Sequence, residues 1–98
     1  MTVVYAIAQI SIHDRATYYR YATQFMPVLA HFGGTLLAAD ERPQVIEGDW
    51  HHDKVILLRF PDRASFDAWA NSPQYQEISR DRLASTHGEV VLIQGLTT

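Results

Sequence analysis

The sequence of 98 residues predicts a ferredoxin-like sandwich of the α+β class, in which four antiparallel strands form one sheet and both helices lie on one face of it. Three observations predict this fold. Apolar residues alternate with a period of two in several short segments, and between these segments they recur every three or four residues. Capping and helix-ending residues stand where one period gives way to the other. The resulting order of elements is β-α-β-β-α-β.

The first strand is predicted over Val3 to Ile12, where both alternating faces are largely apolar, so we expect the sheet to be covered on two sides. Asp14 is a suitable N-cap for the first helix, because its carboxylate can accept from free amides of the first turn. We expect a kink near Thr23 to Pro27, since proline removes an amide donor, and a helix end at Gly33-Gly34. The apolar stripe of this helix consists of Tyr18, Ala22, Phe25, Leu29 and Phe32.

The second strand is predicted in two pieces, Thr35 to Asp40 and Gln44 to Gly48. The interruption falls at Arg42-Pro43, because proline cannot donate to a strand ladder. A polar loop then leads to the third strand, Lys54 to Phe60, which is the most strongly apolar strand of the chain.

The second helical segment contains an internal restart. Asp62 is its expected N-cap, and Ser72-Pro73 can serve as a new N-cap and first helical residue. Gly88 precedes the last predicted strand, which runs from Glu89 to Gln94.

One domain, residues 1–98, is expected, because a domain typically holds about 100 to 150 residues. Its sheet carries helices on one face and leaves the other face apolar. The simplest cover for that face is the same face of a second copy, which predicts an isologous homodimer joined sheet to sheet.

The composition excludes several classes of function. The net charge is −3 and Lys54 is the only lysine, so no basic stripe is present to bind nucleic acid. The chain has no cysteine, and no apolar run approaches the roughly 20 residues needed to span a bilayer. The N-terminal segment lacks the basic region of a signal peptide. We therefore expect a cytoplasmic protein that has neither a membrane nor a nucleic-acid partner.

The histidines are the first candidates for a metal or acid–base site. His51-His52 is an adjacent pair whose side chains diverge, and it lacks the spacing that binds one metal well. His13 and His87 lie at predicted junctions, where each is either a general base or a surface or capping residue. No phosphate loop or nucleophile motif is present. We expect no metal and no cofactor.

Two charged residues near strand ends have open interpretations. Glu47 either tilts inward or is solvated at the end of a hairpin. Arg59 interrupts an apolar strand and is either exposed at an edge or directed inward to bind a carboxylate. In a hairpin around Asp49 to Asp53 these two side chains would not be cross-strand partners.

Aromatic residues and Arg82 supply the other site candidates. Tyr18, Phe25 and Trp69 pack in the core or line an aromatic pocket. Arg82 shares a helical face with Tyr75, and we expect its stem to pack and its guanidinium to pair with an acid.

Several segments together resemble the DUF1330 family over nearly the whole chain. These are Val45-Ile46-Glu47-Gly48-Asp49-Trp50, Phe60-Pro61, Trp69-x-x-Ser72-Pro73-x-Tyr75-Gln76 and Arg82, with Tyr18 and Gly33-Gly34 upstream. The resemblance implies the dimeric α+β barrel superfamily, in which two ferredoxin-like subunits join sheet to sheet. That superfamily includes cofactor-free monooxygenases, muconolactone isomerases, haem-binding chlorite dismutases and proteins without known activity.

The resemblance also implies a cleft between helices and sheet, shaped by Glu47, Trp69, Tyr75 and Arg82. It brings no catalytic role with it. Arg59 departs from the family pattern, which more often has an acidic residue before Phe-Pro, and this departure alters the charge expected in the pocket.

Two functions remain open. The first is a homodimer that binds a small organic molecule between helices and sheet, either as a binding protein or as a cofactor-free enzyme. Its predicted contacts are Tyr18, Phe25, Glu47, Arg59, Trp69, Tyr75 and Arg82. The alternative is a non-catalytic dimer module in which these residues only pack and pair. Haem or metal binding through a histidine is a third hypothesis.

Overall fold

The computed structural model describes residues 2–96, so Met1, Thr97 and Thr98 of the predicted domain lie outside the described residues. The described elements are β1 (Val4–Ile12), α1 (Arg15–His31), β2 (Thr35–Asp40), β3 (Lys54–Phe60), α2 (Arg63–Ala70), α3 (Pro73–Ser85) and β4 (Thr86–Gln94). No helix within residues 2–96 combines the length and the apolar character that crossing a bilayer requires.

The four strands form one antiparallel sheet in the order β2-β3-β1-β4, which confirms the predicted ferredoxin-like fold. β1 is central, and its residue Val4 lies opposite Phe60 of β3 and Gln94 of β4. β1 therefore has a hydrogen-bonded neighbouring strand along each of its two edges.

The first helix is bounded by the two residues that the sequence indicates. The carboxylate of Asp14 accepts a hydrogen bond from the amide of Thr17 at 3.2 Å, and the hydrogen bonds from Thr17 lower the pKa of Asp14. At the other end Gly33 has φ of 79° and Gly34 N donates to Leu29 O at 3.0 Å. α1 continues past Pro27, and the expected kink there stays a prediction.

The predicted restart divides the second helical segment into α2 and α3. Asp62 accepts from the amide of Ser65 at 2.7 Å and caps α2. Ser72 accepts from the amide of Tyr75 at 3.1 Å and caps α3, with Pro73 in the first turn, where its missing N–H costs no helical hydrogen bond.

The predicted strand over Gln44 to Gly48 is wrong. β2 ends at Asp40, whose side chain accepts from the amide of Arg42 at 2.8 Å and turns the chain, and Pro43 follows without an amide proton. Ile46 is 86% exposed, so the apolar alternation of this segment is not matched by burial. Residues 41–53 therefore form a loop.

The last strand begins earlier than predicted, at Thr86 rather than Glu89. Gly88 lies inside it, opposite Ile10 of β1, and a Cβ at this position would collide with the backbone of Gln9 and Ile10. Glycine thus permits close approach of two strands here, and does not mark the start of β4.

The sheet has two faces of different character. The helix-side face, which carries Ala6, Ala8 and Ile10 of β1 and Ile56 and Leu58 of β3, lies beneath the helices. The open face carries the alternate residues Tyr5 and Ile7 of β1, Val55, Leu57 and Arg59 of β3, and Val91 and Ile93 of β4. Ile7 lies opposite both Leu57 and Val91, so an apolar row crosses three strands of the open face.

Candidate ligand-binding site

A cavity of about 300 Å³ lies between the helix-side face and the helices. Its floor is formed by β1 and β3, and alanines at positions 6 and 8 keep this floor low. Ala22 of α1 and Ala70 of α2 also line it, so small side chains face the space from both layers. The cavity exists because bulky aromatic residues separate the layers while alanines lie between them.

Aromatic rings centred on Trp69 form one wall of the cavity. The ring centroid of Trp69 lies 4.0 Å from that of Tyr75 and 6.2 Å from that of Phe25, which meets it edge to face. Trp69 is only 5% exposed. The wall therefore joins the end of α2 to the first turn of α3 and to the middle of α1.

Ser72 fixes the geometry of this wall. Its hydroxyl donates to the carbonyl of Trp69 at 2.8 Å and accepts from the amide of Tyr75 at 3.1 Å. Because Ser72 is buried and holds both residues, the short connection between α2 and α3 sets the distance between the two rings.

Two tyrosine hydroxyls meet at the cavity wall. Tyr21 Oη and Tyr75 Oη lie 3.3 Å apart, and burial, followed by the neighbouring Tyr75, raises the pKa of Tyr21 well above its usual value. Tyr21 therefore stays protonated at neutral pH. One hydroxyl proton makes the bond between the pair, which leaves the other able to donate to a molecule in the cavity.

The charged residues that line the cavity are cationic. The ammonium of Lys54 lies 5.0 Å from the ring centroid of Tyr18, within the range of a cation–π interaction, and Arg82 lies on α3 two turns beyond Tyr75. Among the described residues no aspartate, glutamate or histidine lines the cavity. A ligand in the cavity would therefore meet cationic but no anionic side chains among the described lining residues.

Two buried hydrogen-bond donors of cavity-lining residues have no partner within residues 2–96. They are the indole Nε1 of Trp69 and the Nε of Arg82. The expectation that Arg82 pairs with an acid is wrong for the described residues, because the neighbouring carboxylate of Asp81 pairs with Arg20 at 3.1 Å. A buried donor without an acceptor is costly, and a bound acceptor would remove that cost.

Five of the seven residues expected to contact a ligand line this cavity, namely Tyr18, Phe25, Trp69, Tyr75 and Arg82. Arg59 does not, because it alternates with the buried Leu58 and Phe60 and so lies on the open face opposite Tyr5. Glu47 does not either, since it is exposed in the loop 41–53 beside a separate shallow depression. The expected pocket contacts of Glu47 and Arg59 are corrected accordingly.

Sequence reasoning missed Tyr21 and Lys54. Tyr21 lies three residues after Tyr18 and four before Phe25, and this spacing, which places it beside the predicted stripe of α1, was the available signal. Lys54 begins β3 and shares the alternation of Ile56 and Leu58, so the period of the strand could have placed it on the helix side.

The histidines do not form a metal site with other ligands among residues 2–96, where no group of three or more potential ligands is present. His52 Nε2 lies 3.1 Å from Glu89 Oε1 and its Nδ1 lies 3.3 Å from Ser11 Oγ, while Glu89 also accepts from Gln9 at 2.8 Å. This polar cluster ties the loop 41–53 to the sheet.

A family model described as a domain of unknown function, DUF1330, matches residues 3–96. The chain belongs to the DUF1330 family. No curated protein matches the chain. The description of this family names no reaction. Membership therefore indicates the fold and leaves the activity open.

Solved structures agree on the fold of this DUF1330 protein. A protein of unknown function from Rhodopseudomonas palustris is 18% identical, with a TM-score of 0.84, over 99% of this chain and 85% of that one. A dimeric ferredoxin-like protein of unknown function from a Jannaschia species is 17% identical, with a TM-score of 0.68, over 97% of this chain and 99% of that one.

A cofactor-independent oxygenase from Streptomyces nogalater, SnoaB, is also similar in structure. It is 17% identical, with a TM-score of 0.63, over 100% of this chain and 97% of that one. At such identities the similarity establishes a shared ferredoxin-like fold and nothing about the reaction.

Proposed function

We propose that this DUF1330 protein binds a small organic molecule in the cavity between its helices and its sheet. The observation that carries the proposal is a mostly apolar cavity of about 300 Å³ whose lining includes a few polar side chains, among them Tyr21, Lys54 and Arg82. Ligand sites are typically concave, mostly apolar and supplied with a few placed polar groups, and their volumes begin at about 300 Å³.

The proposed binding unit is a homodimer joined through the open face. Val91 is 51% exposed and Ile93 is 45% exposed, and both continue the apolar row that Ile7 begins. Contiguous exposed apolar surface on a small protein marks an interaction site. The dimeric relative from Jannaschia supports this arrangement.

Any reaction in the cavity would be cofactor-free and would depend on the reactivity of the substrate. The described lining provides donors in Trp69, Arg82 and the tyrosine pair, but it provides no carboxylate or imidazole to act as a general base. Such donors stabilise a negative charge that develops on a substrate. The cofactor-independent oxygenase with this fold supports the enzymatic form of the proposal.

The alternative is a non-catalytic module whose main role is to form the dimer. The exposed apolar row of the open face favours it, since that surface needs no ligand to explain it. A cytoplasmic location stays a prediction under both functions.

Filling the cavity tests the proposal. Ala8 lies on the floor, and Ala8→Phe should weaken the binding of naphthalene-2-carboxamide, a neutral two-ring probe, at least about tenfold because the ring occupies the same space. Isothermal titration calorimetry measures the dissociation constant. Ala84→Phe is the matched control, because Ala84 is exposed on α3 and does not line the cavity.

A second filling variant, Ala70→Leu on α2, keeps the test decisive if Ala8→Phe fails to fold. Circular dichroism establishes which variants are folded. Binding that is equally strong in the wild-type protein and in a folded filling variant would contradict the cavity as the site. Absence of binding of both the carboxamide and its carboxylate to the wild-type protein would contradict the proposed function.

A further inference from the structure

We propose that the ligand is a planar aromatic acid of about two rings, whose anionic group binds at Arg82 and whose rings lie over Ala6 and Ala8. This inference rests on the proposed function and deepens it by naming the chemical class of the ligand. It follows from the charge of the lining, from the two unpartnered donors and from the shape of the cavity.

The charged side chains that line the cavity favour an anionic ligand. Lys54 and Arg82 both line the cavity, and no acidic side chain among the described residues lines it to neutralise them. None of the ion pairs among residues 2–96 involves either residue. An acid would supply a charge-assisted partner inside the cavity, which a neutral ligand cannot.

The hydrogen-bond donors of the lining residues favour a ligand with acceptor atoms. Arg82 Nε and Trp69 Nε1 are buried without partners, and the hydroxyl pair of Tyr21 and Tyr75 has a proton to spare. Trp69 contacts Tyr75, which contacts Tyr21, and the charge of Arg82 acts on Tyr21. The spare proton of the hydroxyl pair and the guanidinium of Arg82, both on residues that line the cavity, can donate to acceptor oxygens on one edge of a ligand.

The shape of the cavity favours a ligand with a flat, apolar ring system. The floor carries Ala6 and Ala8 with Ile56 and Leu58, and none of these side chains has a polar atom to offer. An aromatic ring can lie against this floor while its acidic edge reaches the wall that carries the donors. The ring faces of Trp69 and Phe25 provide further aromatic contact at one end.

The volume sets the size of the ligand. An apolar cavity of about 150 Å³ is large enough to hold benzene. The cavity here, at about 300 Å³, is twice as large and therefore accommodates two fused or linked rings. A longer chain or a third ring would have to extend past the exposed Met26 or Val90 into solvent.

Paired probes test the charge preference. Naphthalene-2-carboxylate and naphthalene-2-carboxamide have the same ring system and nearly the same shape, but only the first is an anion at pH 7. We expect the wild-type protein to bind the carboxylate at least about tenfold more tightly, because a charge-assisted hydrogen bond to Arg82 is stronger than a neutral one. Isothermal titration calorimetry at fixed ionic strength measures both dissociation constants.

Arg82→Gln should remove this preference while it leaves the affinity for the carboxamide within about threefold. Arg80→Gln is the matched control, because Arg80 lies on the same helix, is exposed and does not line the cavity. It changes the net charge equally, so it separates local binding from the overall field of the protein. Arg82→Lys should restore part of the preference.

The outcomes separate this inference from the proposed function. Equal affinity for the two probes, or a preference that survives in Arg82→Gln, would overturn the anion inference and leave small-molecule binding in place. Loss of the preference in both Arg82→Gln and Arg80→Gln would also overturn it, because the effect would then be general. Binding of neither probe to the wild-type protein would overturn the proposed function.

Discussion

The two faces of the sheet are built from alternate residues of the same strands, yet they offer surfaces of opposite form. On the helix side Ala6 and Ala8 lie beneath three helices and leave a cavity. On the open face Ile7, between them in the sequence, continues an apolar row with Leu57 and Val91 that no element within residues 2–96 covers. One face borders the proposed ligand cavity, and the other carries the proposed dimer interface.

The difference shows that burial and packing density are separate properties. The helices cover the helix-side face, but the size of the side chains decides whether they fill the space between helices and sheet. Here small alanines lie beside aromatic side chains that hold the two layers apart, so a cavity remains. The open face is uncovered, and its side chains are large enough to form a continuous surface. The proposed binding cavity and the proposed dimer interface therefore follow from one pattern of period two.

The largest expected effect comes from placing the same charge on each face in turn. Val4→Asp should lower the free energy of unfolding by about 3 kcal/mol or more, because Val4 shares the helix-side face of β1 with Ala6, is 2% exposed and does not line the cavity that Lys54 and Arg82 line. Ile7→Asp should leave the domain folded and raise the dimer dissociation constant at least about 100-fold. Urea denaturation and analytical ultracentrifugation measure the two quantities.

Leu83→Asp is the control for this pair, since Leu83 is 66% exposed on α3 and lies on neither face of the sheet. It should change neither stability nor dimerisation. A folded Val4→Asp protein of unchanged stability, or an Ile7→Asp protein that remains dimeric at low concentration, would remove the distinction between the faces.

A smaller effect is expected at Ser72, which belongs to the helix layer alone. Ser72→Ala should lower the free energy of unfolding by about 1 kcal/mol, because the amide of Tyr75 loses its capping partner. It should also weaken the binding of naphthalene-2-carboxamide severalfold, since Trp69 and Tyr75 lose the hydroxyl that fixes their positions. Dimer dissociation should not change.

Gln74→Ala, at an exposed position in the first turn of α3, controls for a general effect on this helix and should alter stability by less than about 0.5 kcal/mol. If Ser72→Ala weakened the dimer as strongly as it weakened binding of the probe, the helix layer and the open face would not act independently.

The caps and the order of elements could be predicted because they depend on neighbouring residues. Asp14, Asp62 and Ser72 each accept from an amide three residues ahead, and Gly33 adopts the backbone conformation that favours glycine. These interactions are local, so the sequence alone indicates them. The same reasoning correctly placed the break between α2 and α3.

Sequence reasoning failed where the local pattern of residues was typical of a strand or a buried face but the outcome depended on distant parts of the sheet. The segment Gln44 to Gly48 alternates, but β3 has only seven residues, and five of the six residues of β2 already pair along it, which leaves no ladder for a second piece. Arg59 shares its face with apolar neighbours, and sequence reasoning could not determine that this was the open face.

The missed site residues required knowledge of distant contacts. The hydroxyls of Tyr21 and Tyr75 meet across 54 positions in the sequence, and Lys54 approaches Tyr18 only when β3 lies beneath α1. The aromatic residues of the wall were recognisable as apolar, but the presence of a cavity beside them depends on how the alanines of two layers align.

Methyl NMR of Ala6, Ile7 and Ala8 tests the separation of the two faces most directly, because these consecutive residues of β1 point alternately to the cavity and to the open face. Addition of naphthalene-2-carboxylate should shift the methyl signals of Ala6 and Ala8 and leave that of Ile7 unchanged, whereas dilution through the dimer–monomer transition should shift only Ile7. A ligand that shifts Ile7 and leaves both alanines unchanged would contradict the account.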